Sequence, residues 1–326
     1  MIKIGMMSFA HMHAYSYAAA VSQIPGAKIS AVWDDDSKRG KSAADQCDAK
    51  FYKSRDKFLA SKIDAVVICS ENVHHRAMVE AAAKAGKWVL CEKPLATTVA
   101  DAKSMIKVCK KAGVGLGTAF PCRYVPASIE LKNRLDAGEL GDLYAAATTN
   151  NGSNPGDWFV VPKLAGGGAT MDHTVHVVDM LRWLTGKEVT SVYCELDRLV
   201  NTDIKTDDVG VVHMELEGGT KVSHVASWNR KKSFPTWGDV TMELIGEKGV
   251  LNLDAFNQKL DVYSDKAMTT EWAYWGDNCD LGLMQDFVAA VADRREPSVT
   301  GEDGLRAVEV TVAAYKSAKS GKVVKL

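Results

Sequence analysis

Over the first 120 residues, short apolar runs alternate with stretches of helical periodicity. Ile2–Met7, Lys28–Trp33, Asp64–Cys69, Lys87–Cys91 and Val114–Ala119 read as strands. His13–Gln23, Lys38–Gln46, Arg55–Ala60, His75–Ala85 and Ala100–Ala112 read as helices, with Pro25-Gly26, Gly86 and Gly113 closing three of them. Strands that are apolar on both faces and separated by helices belong to a parallel sheet covered on both sides. The pattern predicts a doubly wound, nucleotide-binding α/β domain.

After residue 120 the texture changes. A helix over Pro126–Ala137 leads through Gly138 and Gly141 to a strand near Leu143–Thr149. A loop carrying Gly152, Pro155, Gly156 and Gly166–Gly168 precedes a helix over Met171–Leu184, closed by Gly186. Val189–Leu199, Val209–Leu216, Lys221–Trp228, Val240–Ile245 and Val250–Leu253 then read as strands, and helices return at Leu281–Ala292 and Gly304–Lys319. Gly218-Gly219 and Gly246–Gly249 are hairpin signals, so the second sheet should be large, open and mostly antiparallel. The expectation is an N-terminal doubly wound domain over 1–121 and a C-terminal α+β domain over 122–326, because one core rarely grows past ~250–300 residues.

Composition narrows the function class. The chain has 326 residues, 46% hydrophobic and 25% charged, with 40 basic against 41 acidic side chains. That balance, without a basic block, lacks the electrostatic footprint of a nucleic-acid binder. No apolar run approaches the ~20 residues of a membrane span. The opening Met1–Met7 reads as a strand rather than a signal peptide, so a soluble, cytoplasmic protein is expected. Seven cysteines, odd in number and without a CxxC pair, suggest neither a disulfide framework nor a cysteine zinc site.

Four stretches carry chemistry. The turn after the first strand, Gly5-Met6-Met7-Ser8-Phe9-Ala10, fills the first and third places of a GxGxxG/A phosphate fingerprint but has Met7 in the middle. It opens a helix whose amides can bind an anion, and Ser8 adds a hydroxyl. Asp34, ending the second strand, suits an adenosine ribose and favours NAD over NADP, although Lys38 and Arg39 offset that repulsion. Glu92-Lys93-Pro94 leaves a buried strand end, where open α/β sheets bind ligands; on spacing alone Lys93 reads as an ordinary solvated lysine. Asp172, His176 and Asp179, spaced i, i+4, i+7, share one helix face behind three glycines. Asp172 and His176 make a proton-transfer pair, or a helix cap and a core histidine. His173 and His176 have ligand chemistry but lack a clear third partner, so no metal is expected. His11 and His13 flank the phosphate turn.

Taken in order, these stretches resemble the Gfo/Idh/MocA oxidoreductases, the glucose-fructose oxidoreductase and inositol dehydrogenase family. Ala10 with His13, Ser70-Glu71-Asn72 with His75, Glu92-Lys93-Pro94, and Gly166–Gly168 followed by Asp172 and His176 carry the likeness. The resemblance implies a pyridine-nucleotide enzyme acting on a sugar, a cyclic polyol or a derivative. It implies that NAD, or NADP, is held by Gly5, Met7, Ser8, Phe9, Ala10, Asp34, Ser70, Asn72, His75, Glu92, Lys93 and Pro94. Lys93, Asp172 and His176 would handle the proton, and Pro94 would aim Lys93 through a cis bond. Arg123, Tyr124 and Trp158 are further candidates for substrate contact, with a core tryptophan as the alternative for Trp158. The resemblance also implies a homodimer or homotetramer built on the second sheet. Two alternatives stay open on the same fold: a redox-neutral glycosidase that keeps NAD bound, and a non-enzymatic dinucleotide-binding regulator.

Overall fold

Six parallel strands form the first sheet: β1 (Ile2–Met7), β2 (Ala27–Trp33), β3 (Lys50–Tyr52), β4 (Ala65–Ile68), β5 (Trp88–Cys91) and β6 (Leu116–Thr118). Their order is β3-β2-β1-β4-β5-β6, the doubly wound order of a dinucleotide-binding domain. The central strands are buried on both faces, as their uninterrupted apolar runs require: every residue of β4 is inaccessible. The connecting helices are α1 (His13–Ser22), α2 (Ser37–Gln46), α3 (Arg55–Leu59), α4 (His75–Lys84) and α5 (Val99–Ala112). Gly113 closes α5 at φ +69°, where a side chain would be strained. This computed structural model describes the chain apart from residues 235–236, 258, 267 and 275–277.

The chain divides into two units. One comprises Met1–Pro121 with Lys163–Gly166 and Asp280–Glu309; the other comprises Cys122–Pro162, Gly167–Cys279 and Val310–Leu326. Two segments beyond residue 121, 163–166 and 280–309, thus group with the first unit. One reason is the edge of β6: Thr118 N–H donates to Val299 O at 3.2 Å, and Gly117 bridges Thr300. An otherwise open strand edge is covered in this way.

The second unit contains α6 (Pro126–Asp136) and the long helix α8 (Ala169–Thr185), while the short α7 (Pro162–Ala165) belongs to the first unit from Lys163 onward. Its sheet is built from β7 (Leu143–Ser153), β8 (Val189–Asp197), β9 (Val209–Leu216), β10 (Lys221–Arg230), β11 (Gly238–Gly246), β12 (Gly249–Asp254) and β15 (Val324–Lys325). The order is β12-β11-β7-β10-β9-β8-β15. Hairpins join β9 to β10 and β11 to β12, while β7 and β10 run parallel, so the sheet is mixed but mostly antiparallel. β7 runs four residues further than its apolar pattern predicts, taking in Asn150, Asn151 and Gly152. A separate hairpin, β13 (Lys259–Ser264) with β14 (Thr269–Tyr274), carried no clear periodic signal. Two more helices complete the chain: α9 (Cys279–Asp293) and α10 (Gly301–Ser320).

Candidate active site

The turn after β1 is shaped by Ser8, a non-glycine residue at φ +71°. Its amide donates to Trp33 O at 2.7 Å, tying the turn to the end of β2. Met7, in the place of the middle glycine, turns its side chain into the core and is fully buried. Its bulk is therefore spent on packing. Gly5 is needed for a similar reason, since a Cβ there would lie 2.5 Å from the Phe58 ring.

Asp34 is buried behind this turn, and four donors converge on its carboxylate. Oδ2 accepts Phe9 N–H at 2.7 Å and Arg39 Nε at 2.9 Å; Oδ1 accepts Asp36 N–H at 2.9 Å and an Arg39 Nη at 2.7 Å. A carboxylate offers about four acceptor positions, and here all are engaged. Burial raises the Asp34 pKa, with Arg39 and the Phe9 amide pulling against it. The same guanidinium reaches Ser8 Oγ at 3.4 Å. Arg39 thus sits over the acid that the sequence marks for a ribose.

At the end of β5, Glu92 is inaccessible and Lys93 nearly so. Glu92 Oε2 accepts the Lys93 amide at 2.9 Å, and Oε1 faces His13 Nδ1 at 3.0 Å and His11 Nδ1 at 3.8 Å. Burial alone would push the Glu92 carboxyl up; His11, His13 and Lys93 outweigh it and hold the group far below the usual carboxylate range. Burial likewise pulls His13 down, and Glu92 more than restores it, leaving the imidazole above its ordinary value. Among the described residues, His11, His13 and Glu92 are also the one grouping with the spacing of a metal site, their ligand atoms lying within 4.8 Å of one another. The ion pair accounts for it without a metal, and His11 Nδ1 already accepts the His13 amide at 3.2 Å. The Lys93–Pro94 peptide bond is cis.

His75 and Asn72 serve the frame. The His75 ring, fully buried, donates from Nδ1 to Pro94 O at 3.0 Å and faces Ser70 O at 3.3 Å, tying two loops at the strand ends together. Burial lowers its pKa, which favours the neutral ring. Ser70 is also buried, and Asn72 Nδ2 donates to Ala165 O at 2.8 Å.

In the second unit, α8 begins two residues earlier than its apolar pattern predicts, at Ala169, so Asp172 stands in its first turn and His176 one turn further on. Gly168 supplies no capping side chain. The cap comes from Asp207: Oδ1 accepts Gly168 N–H at 3.0 Å, Oδ2 accepts Thr170 N–H at 2.8 Å, and the carbonyl accepts Ala169 N–H at 3.0 Å. Tyr315 locks this brace by donating to Asp207 Oδ1 at 2.6 Å and accepting Gly168 N–H at 2.8 Å. A Cβ at Gly168 would come within 2.0 Å of Asp207 O. The close approach that this glycine permits is thus to a protein group. Asp172 Oδ2 accepts the Trp228 indole N–H at 3.2 Å and lies 3.2 Å from His173 Nε2. His176 Nδ1 lies 3.9 Å from Cys122 Sγ.

The remaining candidates are Arg123, Tyr124 and Trp158. Arg123 forms a buried pair with Asp179, donating from Nε at 2.8 Å and Nη at 2.5 Å, which gives the third residue of the α8 face its partner. Tyr124 ends a short 3-10 turn with Arg123. Trp158 is buried and stacked on Phe159 at 3.8 Å, as a core tryptophan.

Comparison with known proteins accords with this geometry. Residues 2–120 match the model of an oxidoreductase family with an NAD-binding Rossmann fold, and residues 129–252 match a GFO/IDH/MocA C-terminal domain. Myo-inositol 2-dehydrogenase of Thermotoga maritima is 31% identical over 85% of this chain and 84% of its own. The chain belongs to the Gfo/Idh/MocA oxidoreductase family. A D-apiose dehydrogenase of Paraburkholderia graminis is 28% identical over all of this chain and 88% of its own. Among solved structures, GenD2 from gentamicin A biosynthesis, crystallised with NAD, superposes with a TM-score of 0.91 at 26% identity, covering 100% of this chain and 96% of that one.

As a Gfo/Idh/MocA oxidoreductase, the chain has a Rossmann domain that binds NAD. The residues fit that group: a small Ala10 beside the turn, free of bulk from Met7, with an acid closing β2. Among the described residues no helix is long and apolar enough to cross a membrane. Asp207 and Tyr315 escaped the sequence reading because nothing in their spacing, 39 and 147 residues from Gly168, marks them as its partners.

Proposed function

We propose that this enzyme moves a hydride between NAD and a carbinol carbon of a sugar, a cyclic polyol or a derivative. Lys93 and the Asp172/His176 pair handle the proton. The observation that carries the reading is Lys93 itself: a buried lysine at the end of a core strand, its backbone fixed by the neighbouring Glu92 carboxylate. NAD supplies the hydride acceptor at the nicotinamide ring. The chain supplies the rest. Lys93 Nζ takes up the hydroxyl proton in oxidation and returns it in reduction. Loss of that proton raises electron density on the carbinol carbon and makes it a hydride donor. Asp172, held by Trp228, orients the hydroxyl, and His176 on the next turn shares the proton load. The names of the relatives support the substrate class, since they include inositol and apiose dehydrogenases.

The test follows absorbance at 340 nm while purified protein and NAD are offered myo-inositol, scyllo-inositol, pentoses and hexoses. Net NADH formation with at least one is expected. Release of an aglycone from a glycoside without net NADH would transfer the protein to the redox-neutral glycosidases, and dinucleotide binding with neither reaction would make it a regulator.

A further inference from the structure

An exposed aromatic matters when its backbone is fixed and its neighbours belong to a candidate site, and Trp237 meets both conditions. Trp237 is 51% exposed, whereas Trp228 and Trp158 are 1% and 4% exposed. Its backbone is nonetheless fixed at the end of the sheet. Ser153 N–H donates to Trp237 O at 2.7 Å, and the next residue, Gly238, pairs with Gly152 across β11 and β7. The indole stands edge-on to His173, ring centroids 6.4 Å apart at 67°, and edge-on to Phe256 at 5.5 Å. His173 in turn is anchored, since Asn150 O can only accept and lies 2.8 Å from Nδ1; its other nitrogen faces Asp172. Gly152 keeps the floor clear: a Cβ there would lie 2.9 Å from His173 Cε1 and 3.4 Å from the indole. One imidazole therefore separates Asp172 from a rigidly mounted, half-exposed aromatic face.

We propose that Trp237 is the stacking platform of the substrate site and selects for ring substrates. This rests on the sugar or polyol reading above. Sugar and cyclitol rings present a patch of C–H groups on one face, and such a patch packs on an indole while the hydroxyls at its rim stay available for hydrogen bonds. An open-chain polyol has no preformed flat face and must lose rotational freedom to make one. Trp237 thus distinguishes cyclic from acyclic polyols. Trp158, by contrast, is buried and has its ring stacked on Phe159.

The experiment compares wild type, Trp237→Phe and Trp237→Ala, each checked for an unchanged melting midpoint, with myo-inositol, D-glucose and the acyclic D-sorbitol as probes. For a turned-over cyclic probe, Trp237→Ala should raise KM about tenfold or more with kcat within about threefold, and Trp237→Phe should recover most of the loss. D-sorbitol kinetics should change little. Turnover is not needed for the second readout. Cyclic probe should quench intrinsic tryptophan fluorescence in wild type, and the quench should vanish in Trp237→Phe. Quenching without turnover by any probe sinks the oxidoreductase reading and leaves the platform standing. Turnover with KM unmoved in Trp237→Ala overturns the platform and leaves the reaction intact. An equal rise in KM for D-sorbitol overturns the ring preference, and absence of both quench and turnover overturns both.

Discussion

The two units carry their proposed site residues on different elements. In the first, Asp34 and Lys93 leave the carboxyl ends of parallel strands, and each buried acid there carries its own counter-ion: Arg39 on Asp34, His13 on Glu92. In the second, Asp172 and His176 ride on the opening turns of one helix; a buried charge pair, Arg123–Asp179, lies further along it, but its first turn is held by hydrogen bonds. Trp228 serves Asp172, Asp207 braces the helix, and the inaccessible His224 on β10 lies 3.1 Å from a hydroxyl, Thr148 Oγ1. A strand end projects a side chain but needs charges to fix it, whereas a helix face arrives with its spacing already set and needs only its end secured.

The largest effect should come from the strand-end lysine. Lys93→Met is expected to cut turnover by roughly 10²- to 10⁴-fold, the usual worth of a positioned acid or base, while NADH binding by fluorescence titration holds. Unchanged turnover would remove Lys93 from the proton's path and leave the helix as the sole seat of the chemistry.

A middle-sized effect should separate the units by pH. Burial, with His173 beside it, pushes His224 down to about 3. The unfolded chain then binds this proton first, so stability is lost as pH falls from the ordinary histidine value of ~6.5 toward 3. His13 has the opposite sign: its raised value gives stability that is fully present below ~6.5 and lost as pH rises through the folded value. Hydrogen exchange across pH 8 to 5 should therefore show β9 and β10 losing protection while β1 and β5 hold or gain. Parallel loss in both sheets would contradict the contrast.

The smallest effect concerns Arg39. Removing it frees two acceptor positions on Asp34 and deletes the cation paired with the acid proposed for the ribose. Arg39→Ala should shift preference toward NADH over NADPH by roughly tenfold, the scale of one or two charge-assisted hydrogen bonds. Paired titrations with the two cofactors measure it, and no shift would mean that Arg39 serves Asp34 alone.

How much of this could be read from sequence follows from the range of the forces involved. Strands of the first sheet were legible because burial on both faces leaves an unbroken apolar run; β3, three half-exposed residues at the edge, left none. The hairpins of the second sheet announced themselves through paired glycines, but the parallel pairing of β7 with β10 is a matter of order and has no local mark. Asp34, Lys93, Asp172 and His176 could be named from spacing and resemblance. Their supports could not: Arg39 was seen only as a nearby charge, and Asp207 and Tyr315 are ordinary residues until folding brings them to Gly168. Nor does sequence say which tryptophan is wet, since Trp158 and Trp237 differ only in where the chain has put them.

The brace on α8 has a consequence in time. Tyr315 lies 147 residues downstream of the Gly168 amide that it accepts. At a synthesis rate of about 5–20 residues per second, that interval is roughly 7–30 s. Throughout it, the nascent chain carries Asp172 and His176 on a helix whose first amides lack their tyrosine latch. This helix is thus written early and finished late, so a ribosome that stalls within the last helix leaves its product with Asp172 and His176 present and their scaffold unfastened.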